Sequence, residues 1–316
     1  MGEQPKVAFV GLGKLGHLLV GHLVPVARRR GVQVGVLDID AGLTASVAAD
    51  SGATALTSLR DFAGTDTVLA LCVTNADAVR SVIGDAIEHG VVVEGSVVLD
   101  FSSVPPEFAK DQAERLAAIG ATYLDVPLTG AIPAARTGEM IAMAGGDRDA
   151  LAAVSWIAEA FCTKVVWTGE SGNGALLKTI NNWIGNTAAL AAMEGIIILR
   201  RAGLSNEAIL EVLNAGPAMT YFSATRYPRY LADRAAFSGA ELGLVTKDLH
   251  IAADAANAAG ATPVVSLLAK DLWQGAVTRY GKHGDMLRML DYLSRSTFGV
   301  SWEEVDGVTA RSRTDP

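Results

Sequence analysis

Short β-branched and apolar runs alternate with longer alanine- and leucine-rich stretches through the first half of the chain. The runs Lys6-Val-Ala-Phe-Val-Gly-Leu12, Val32-Gln-Val-Gly-Val-Leu-Asp38, Asp66-Thr-Val-Leu-Ala-Leu-Cys-Val73, Ser96-Val-Val-Leu-Asp-Phe-Ser102 and Ala121-Thr-Tyr-Leu-Asp-Val-Pro-Leu128 read as strands, followed by Met140-Ile-Ala-Met-Ala-Gly-Gly146 and Lys164-Val-Val-Trp-Thr-Gly169. Strands alternating with helices imply crossover units and a mainly parallel sheet. From Gly172 onward the pattern changes to long periodic stretches of Ala, Leu and Ile, such as Ala188 to Ala202 and Leu244 to Ala259, and predicts helix throughout. The expected fold is a doubly wound α/β N-terminal domain over residues 1–168 and an all-α C-terminal domain over 169–316. The latter begins, after the loop Thr168-Gly-Glu-Ser-Gly-Asn-Gly174, with a long interdomain helix.

Length and charge narrow the reading. At 316 residues, half of them hydrophobic, the chain can bury two cores, and its net charge of −8 argues against nucleic acid as a partner. The one basic run, Arg28-Arg29-Arg30, sits where the first helix should end and complements the helix dipole. Cys72 and Cys162 lie in apolar surroundings, as free thiols of a reducing compartment do. The start, Met1 to Lys6, shows neither a signal-peptide pattern nor a myristoylation motif, and the stretch Ala188 to Leu199 is short and interrupted by Glu194. A cytoplasmic protein without a membrane partner is expected, with a frayed tail over Arg311 to Pro316. The five histidines show no ligand spacing, so no metal is expected.

Gly11-Leu12-Gly13-Lys14-Leu15-Gly16 follows the first predicted strand and opens a helix, the context in which a G-x-G-x-x-G segment binds a dinucleotide. The glycines give a tight turn, backbone approach to the pyrophosphate and close helix packing, which makes the first domain Rossmann-like. Asp38 closes the second strand where a carboxylate accepts the ribose hydroxyls and repels a 2′-phosphate; neither Ile39 nor Asp40 supplies the positive charge that NADP wants. NAD is the expected cofactor.

The second chemical segment is Gly172-Asn-Gly-Ala-Leu-Leu-Lys-Thr-Ile-Asn-Asn182. On a helix, Lys178, Asn181 and Asn182 share one face. A lysine desolvated beside a nicotinamide has its charged form disfavoured and is tuned toward a pKa of roughly 7 to 8, suited to exchanging a proton with a hydroxyl. An amide one turn on can donate to the same oxygen or to a carboxylate.

Two further segments lie between these, Asp100-Phe-Ser-Ser-Val-Pro-Pro106 and Asp125-Val-Pro-Leu-Thr-Gly-Ala131 continuing to Gly138, and Lys247-Asp248-Leu249 follows on a late helix. The ordered set resembles the β-hydroxyacid dehydrogenase family, whose patterns are D-x-S-[ST]-x-x-P, D-A-P-V-S-G-G with A-A-R-S-G, G-x-G-x-x-x-K-x-x-N-N and K-D-L. The resemblance covers almost the whole chain. It implies Lys178 as the acid/base and Asn182, with Asn181 beside it, at the substrate. Thr129 and the backbone of Gly130 and Ala131 then meet the substrate carboxylate. Val73, Thr74, Ser103 and Lys247 line the cofactor. Thr129 stands for the family serine, Ala131 for its second glycine and Leu15 for a common methionine.

The activity this implies is NAD-dependent hydride transfer on a small carboxylate-bearing 3-hydroxy acid of the 3-hydroxyisobutyrate type, by a homodimer or homotetramer. Reduction of a short semialdehyde of the tartronate or succinic type is the alternative within the same chemistry. Imine reduction by relatives of this architecture goes with loss of the lysine, as does a non-catalytic NAD-binding module, and Lys178 stands against both.

Overall fold

The structure, a computed structural model, describes residues 5–64, 67–235, 238 and 240–311, with the backbone alone for 308–311. Residues 1–4 of the N-terminal segment and 312–316 of the expected frayed tail lie outside the described residues. The chain divides into two compact units, Met1–Lys178 and Thr179–Pro316, the division falling inside a helix.

The first unit is built on nine strands: β1 (Lys6–Val10), β2 (Gln33–Leu37), β3 (Thr54–Ala55), β4 (Thr67–Leu71), β5 (Val97–Asp100), β6 (Thr122–Asp125), β7 (Leu128–Thr129), β8 (Met140–Gly145) and β9 (Cys162–Gly169). Their order is β3-β2-β1-β4-β5-β6-β8-β7, with β9 beside β8. Neighbours from β3 through β6 are parallel, whereas β8 runs antiparallel to β6 and β7 and parallel to β9.

The apolar runs have no polar alternation because both sheet faces are covered. On β1, Val7 and Phe9 enter one core with Leu19, Leu23 and Leu99, while Ala8 and Val10 enter the other with Leu69, Ile83 and Tyr123. The predicted run Ala121 to Leu128 is divided into β6 and β7, which pair with β8 in one antiparallel register on either side of Pro127, whose missing N–H interrupts the ladder. The two-residue strand β3 carried no sequence signal. Cys72 and Cys162 are free, and burial pushes each thiol up to about 12, so both stay protonated.

The second unit contains helices, a π-helical turn at Phe222–Arg226 and, among its described residues, no strand beyond the isolated bridge between Glu241 and Asp285. The stretch Ala188 to Leu199 belongs to the helix Asn173–Arg201, whose 29 residues are long and apolar enough by composition to cross a membrane. Its Trp183, Leu190, Met193, Ile196 and Ile197 instead fill this unit's core with Tyr227, Leu249, Trp273 and Leu290. That packing accounts for the apolar face. Arg200 and Asp306 form a buried pair at 3.1 Å.

Candidate active site

Every parallel strand from β1 to β6 except the short β3 delivers a functional segment at its carboxyl end, and the order reverses between β1 and β4, where doubly wound sheets open a ligand crevice. The fingerprint turn lies there. Gly11 has φ +98°, and a Cβ on it would come 2.3 Å from the Cys72 carbonyl oxygen; a Cβ on Gly16 would come 1.9 Å from the Gly11 oxygen. At Gly13 a Cβ would point into open space. Two glycines thus permit close packing and the third leaves its surface clear for a phosphate. The helix that follows, Gly16–Arg29, has no side-chain cap and no acidic residue in its first turn, which suits an anion at its N-terminus. It ends in Arg28 and Arg29, as the dipole favours.

Asp38 follows β2 directly. Its Oδ2 accepts the Leu12 N–H at 2.7 Å and its Oδ1 the Asp40 N–H at 3.1 Å, so the carboxylate is pinned to the fingerprint itself. The Asp38 N–H is in turn held by Thr44 Oγ1 at 2.9 Å. Ile39 is fully exposed and Asp40 caps the next helix, leaving no cation at these two positions. These residues fit an adenosine ribose with free hydroxyls.

Beyond β4 the Val73 N–H donates to Ser102 Oγ at 2.9 Å, and Asn75 caps the helix Ala76–Glu88 through the Ala78 N–H. Asn75 is exposed and Thr74 lies beside it. Ser103 is half-buried, and among the described residues its hydroxyl makes no hydrogen bond; the neighbouring Ser102 is the buried one.

Asp125, the last residue of β6, is fully buried. Its Oδ1 accepts the Gly172 N–H and its Oδ2 the Ala175 N–H, both at 2.8 Å, so it ties down the start of the helix that carries Lys178. The fit is tight: a Cβ on Gly174 would lie 2.3 Å from the Met143 oxygen, and one on Gly145 would lie 2.6 Å from Asp125 Oδ1. Gly174 and Gly145 are therefore the seat for this carboxylate, to which Gly172 adds its N–H. Burial raises the Asp125 carboxyl above its ordinary range, against the lowering effect of the backbone N–H groups.

The same strand leads into Thr129, half-buried, and Gly130, with φ +134°. Ala131, where the family pattern has glycine, is held at φ +57°, the only positive φ of a non-glycine among the described residues. Lys178 is half-buried on the helix, Asn181 is exposed and Asn182 is half-buried. The Asn182 amide donates to Asp248 Oδ2 at 2.9 Å, and Lys247 Nζ lies 3.4 Å from Asp248 Oδ1. Asp248 thereby organises both, a role its sequence context did not signal. Arg136 is exposed and makes no ion pair among the described residues. Among those residues no group of His, Cys, Asp or Glu could hold a metal ion.

Residues 6–169 match the family described as the NAD binding domain of 6-phosphogluconate dehydrogenase, and residues 172–293 the family described as NAD-binding of NADP-dependent 3-hydroxyisobutyrate dehydrogenase. The chain belongs to the β-hydroxyacid dehydrogenase family. It is 25% identical to the mitochondrial 3-hydroxyisobutyrate dehydrogenase of Drosophila melanogaster, over 95% of this chain and 92% of that one. It is 22% identical to the 2-(hydroxymethyl)glutarate dehydrogenase of Eubacterium barkeri, over 98% of each chain. A solved structure of Mycobacterium tuberculosis 3-hydroxyisobutyrate dehydrogenase with L-serine shares the fold, with a TM-score of 0.80 at 22% identity over 93% of this chain and 100% of that one. As a member of this family the protein is an NAD(P)-dependent hydroxyacid dehydrogenase.

Proposed function

We propose that the protein oxidises a small 3-hydroxy acid of the 3-hydroxyisobutyrate type to its semialdehyde or keto acid, or runs the reverse reduction, with NAD and with Lys178 as the acid/base. The observation that carries this reading is the shared anchorage of lysine and carboxylate loop. Asp125 ends β6, holds the first turn of the Lys178 helix through Gly172 and Ala175, and is four residues from Thr129. One strand end fixes both the proton-transferring group and the loop that would receive the substrate carboxylate.

NAD, when bound, supplies the hydride acceptor. Gly11, Leu12, Gly13, Lys14, Leu15 and Gly16 would hold its pyrophosphate, Asp38 its ribose, and Val73, Thr74, Ser103 and Lys247 its remaining length. Asp38 supports NAD over NADP, since a carboxylate repels a 2′-phosphate. Thr129 Oγ1 and the Gly130 and Ala131 N–H groups would take the substrate carboxylate. Lys178 would accept the hydroxyl proton during oxidation and return it in reduction, where its ammonium also stabilises the developing negative oxygen. Asn182, oriented by Asp248, has a second N–H for the same oxygen, with Asn181 alongside.

The same reading places the protein in the cytoplasm as a homodimer or homotetramer. Support for assembly comes from exposed apolar side chains of the second unit, among them Val212 (72% exposed), Val264 (80%) and Leu268 (63%). Light scattering after size exclusion gives the stoichiometry.

The deciding experiment follows NADH formation with NAD and 3-hydroxyisobutyrate, L-serine, 3-hydroxypropionate, glycerate or 4-hydroxybutyrate, for the wild type and Lys178→Ala. Turnover by the wild type with a loss on the order of 10²–10⁴-fold in the variant is expected. Equal turnover by both removes the lysine from the mechanism. Turnover only of semialdehydes with NADH assigns the reductase reading, and NADH binding without turnover of either class leaves a binding module.

A further inference from the structure

Val73 is the first residue beyond the ladder that joins β4 to its neighbours. The Cys72 N–H still donates to the Val10 oxygen at 2.8 Å, and the Phe101 N–H to the Leu71 oxygen at 2.8 Å. The next amide, Val73 N–H, has left the sheet and is taken by Ser102 Oγ at 2.9 Å. Ser102 is itself held by Asp100, whose Oδ1 accepts its N–H at 2.8 Å. The other oxygen, Asp100 Oδ2, accepts the Tyr123 hydroxyl at 2.7 Å. Asp100 and Ser102 are 0% and 3% exposed. The Val73 end of this chain packs on the fingerprint, since a Cβ on Gly11 would lie 2.9 Å from Val73 Cγ1.

A buried carboxylate without a cation is costly to keep unless it satisfies several donors. Here Tyr123 satisfies one oxygen, and the other, through Ser102, leads to the backbone amide that sets the loop beside the pyrophosphate turn. We propose that Asp100 is a positioning residue for the cofactor: acting through Ser102, its carboxylate fixes the Val73 amide and so holds the loop Val73–Asn75 against the fingerprint in the arrangement that binds NAD(H). The inference rests on cofactor binding and is independent of the role of Lys178.

The carboxylate form matters because charge-assisted hydrogen bonds are about twice as strong as neutral ones. Burial pushes the Asp100 carboxyl up to about 6, with the charge of Asp125 adding to the rise and Ser102 and Tyr123 opposing it. The titratable groups facing it are Tyr123 and Asp125 on β6 and Cys72 after β4, and burial holds the phenol and the thiol in their neutral forms. Protonation of Asp100 therefore loosens the Ser102 link while leaving the hydrogen-bond partners in place.

The test is NADH affinity by fluorescence titration from pH about 7.5 to about 5, with thermal melting on the same samples, for wild type, Ser102→Ala and Asp100→Asn. Leaving the Val73 donor unsatisfied in Ser102→Ala should weaken NADH roughly tenfold at the upper pH. Asp100→Asn, which keeps an acceptor but loses the charge, should weaken it by roughly three- to tenfold. Wild-type affinity should fall as the pH drops through about 6 even though the protein melts no earlier, and this pH response should be absent from both variants. A purely structural role predicts a lower melting temperature with unchanged NADH affinity, and that result overturns the proposal. Should Ser102→Ala fail to fold, Asp100→Asn decides alone: wild-type affinity with a wild-type pH response sinks the idea.

Discussion

Asp100 and Asp125 stand side by side in register on β5 and β6, and each carboxylate holds backbone N–H groups of a different segment. Asp100 secures Ser102 and through it the loop after β4; Asp125 secures Gly172 and Ala175 at the head of the lysine helix. The proximity has an electrostatic consequence, because the charge of Asp125 adds to the burial that raises the Asp100 carboxyl. Two like charges at the carboxyl ends of adjacent inner strands are tolerated because each accepts several hydrogen bonds.

Removing Asp125 should damage both stability and turnover. Asp125→Ala leaves two buried amides without acceptors and deletes a negative charge at a helix N-terminus, a loss of about 3 kcal/mol from two hydrogen bonds to a charged group. Urea unfolding at neutral pH measures it. In Asp125→Asn one N–H keeps an oxygen and the other meets an NH2 group, so kcat should fall by about tenfold or more while the NADH affinity changes little. A kcat equal to wild type would detach Asp125 from the placement of Lys178.

Asp100 gives stability a defined pH response. Its carboxyl is raised from 3.8 to about 6 on folding, so the native state binds the proton more tightly than the unfolded chain. The sign follows: stability is lost as pH rises from about 4 to about 6 and regained on acidification, up to about 3 kcal/mol in total. Asp100→Asn cannot titrate. Between pH about 7.5 and about 5 the wild type should therefore gain on the order of 1 kcal/mol relative to this variant in parallel denaturant melts. A constant difference across that range would place the Asp100 carboxyl within the ordinary carboxylate range.

Most of this site is written in the sequence as residue type, and much less of it as partnership. Gly11, Gly13 and Gly16 are legible because only a residue without a Cβ permits the tight turn and the close approaches that this spacing demands, and the space around each agrees. Asp38 is legible from its distance to the fingerprint. Asp100 and Asp125 open the two family segments, yet nothing local says that they look inward, because the Asp125 partners lie 47 and 50 positions further along. Ser102 and Ser103 are chemically equivalent in sequence; the bend after β5, tied by the Ser102 N–H to Asp100, turns the first into the core and leaves the second half-buried. The fold is legible to the same depth. The long apolar strands and the helical half are visible as periodicity, whereas β3 has two residues and the break at Pro127 sits inside an apolar run.

Ala131 carries backbone strain that removal of a single methyl group relieves. At φ +57° an alanine Cβ crowds its own backbone, at a cost of about 1 kcal/mol that glycine does not incur. Ala131→Gly should raise the unfolding free energy by about that amount, read as a shift in the urea midpoint with unchanged slope. A loss of stability instead would mean that the methyl group makes a packing contribution larger than the strain.

Asp38 sets cofactor choice by charge and also braces the turn. Its two oxygens hold the Leu12 and Asp40 amides, so the side chain is in place before any ligand arrives and has lone pairs left for two ribose hydroxyls. Asp38→Ala removes the acceptor for NAD and the repulsion toward NADP together. The expected result is a fall in kcat/KM for NAD of roughly 10- to 100-fold, from hydrogen bonds to a charged group worth about 1.5 to 3 kcal/mol each, partly offset by loosening of the turn. The value for NADP should stay level or rise, narrowing the ratio from both sides. Asp38→Asn separates the two effects, since it retains an acceptor for one amide while losing the charge: a variant that keeps NAD kinetics but admits NADP would assign the discrimination to electrostatic repulsion. Unchanged kinetics with both cofactors in both variants would remove Asp38 from the ribose site and leave it solely as the brace of Leu12.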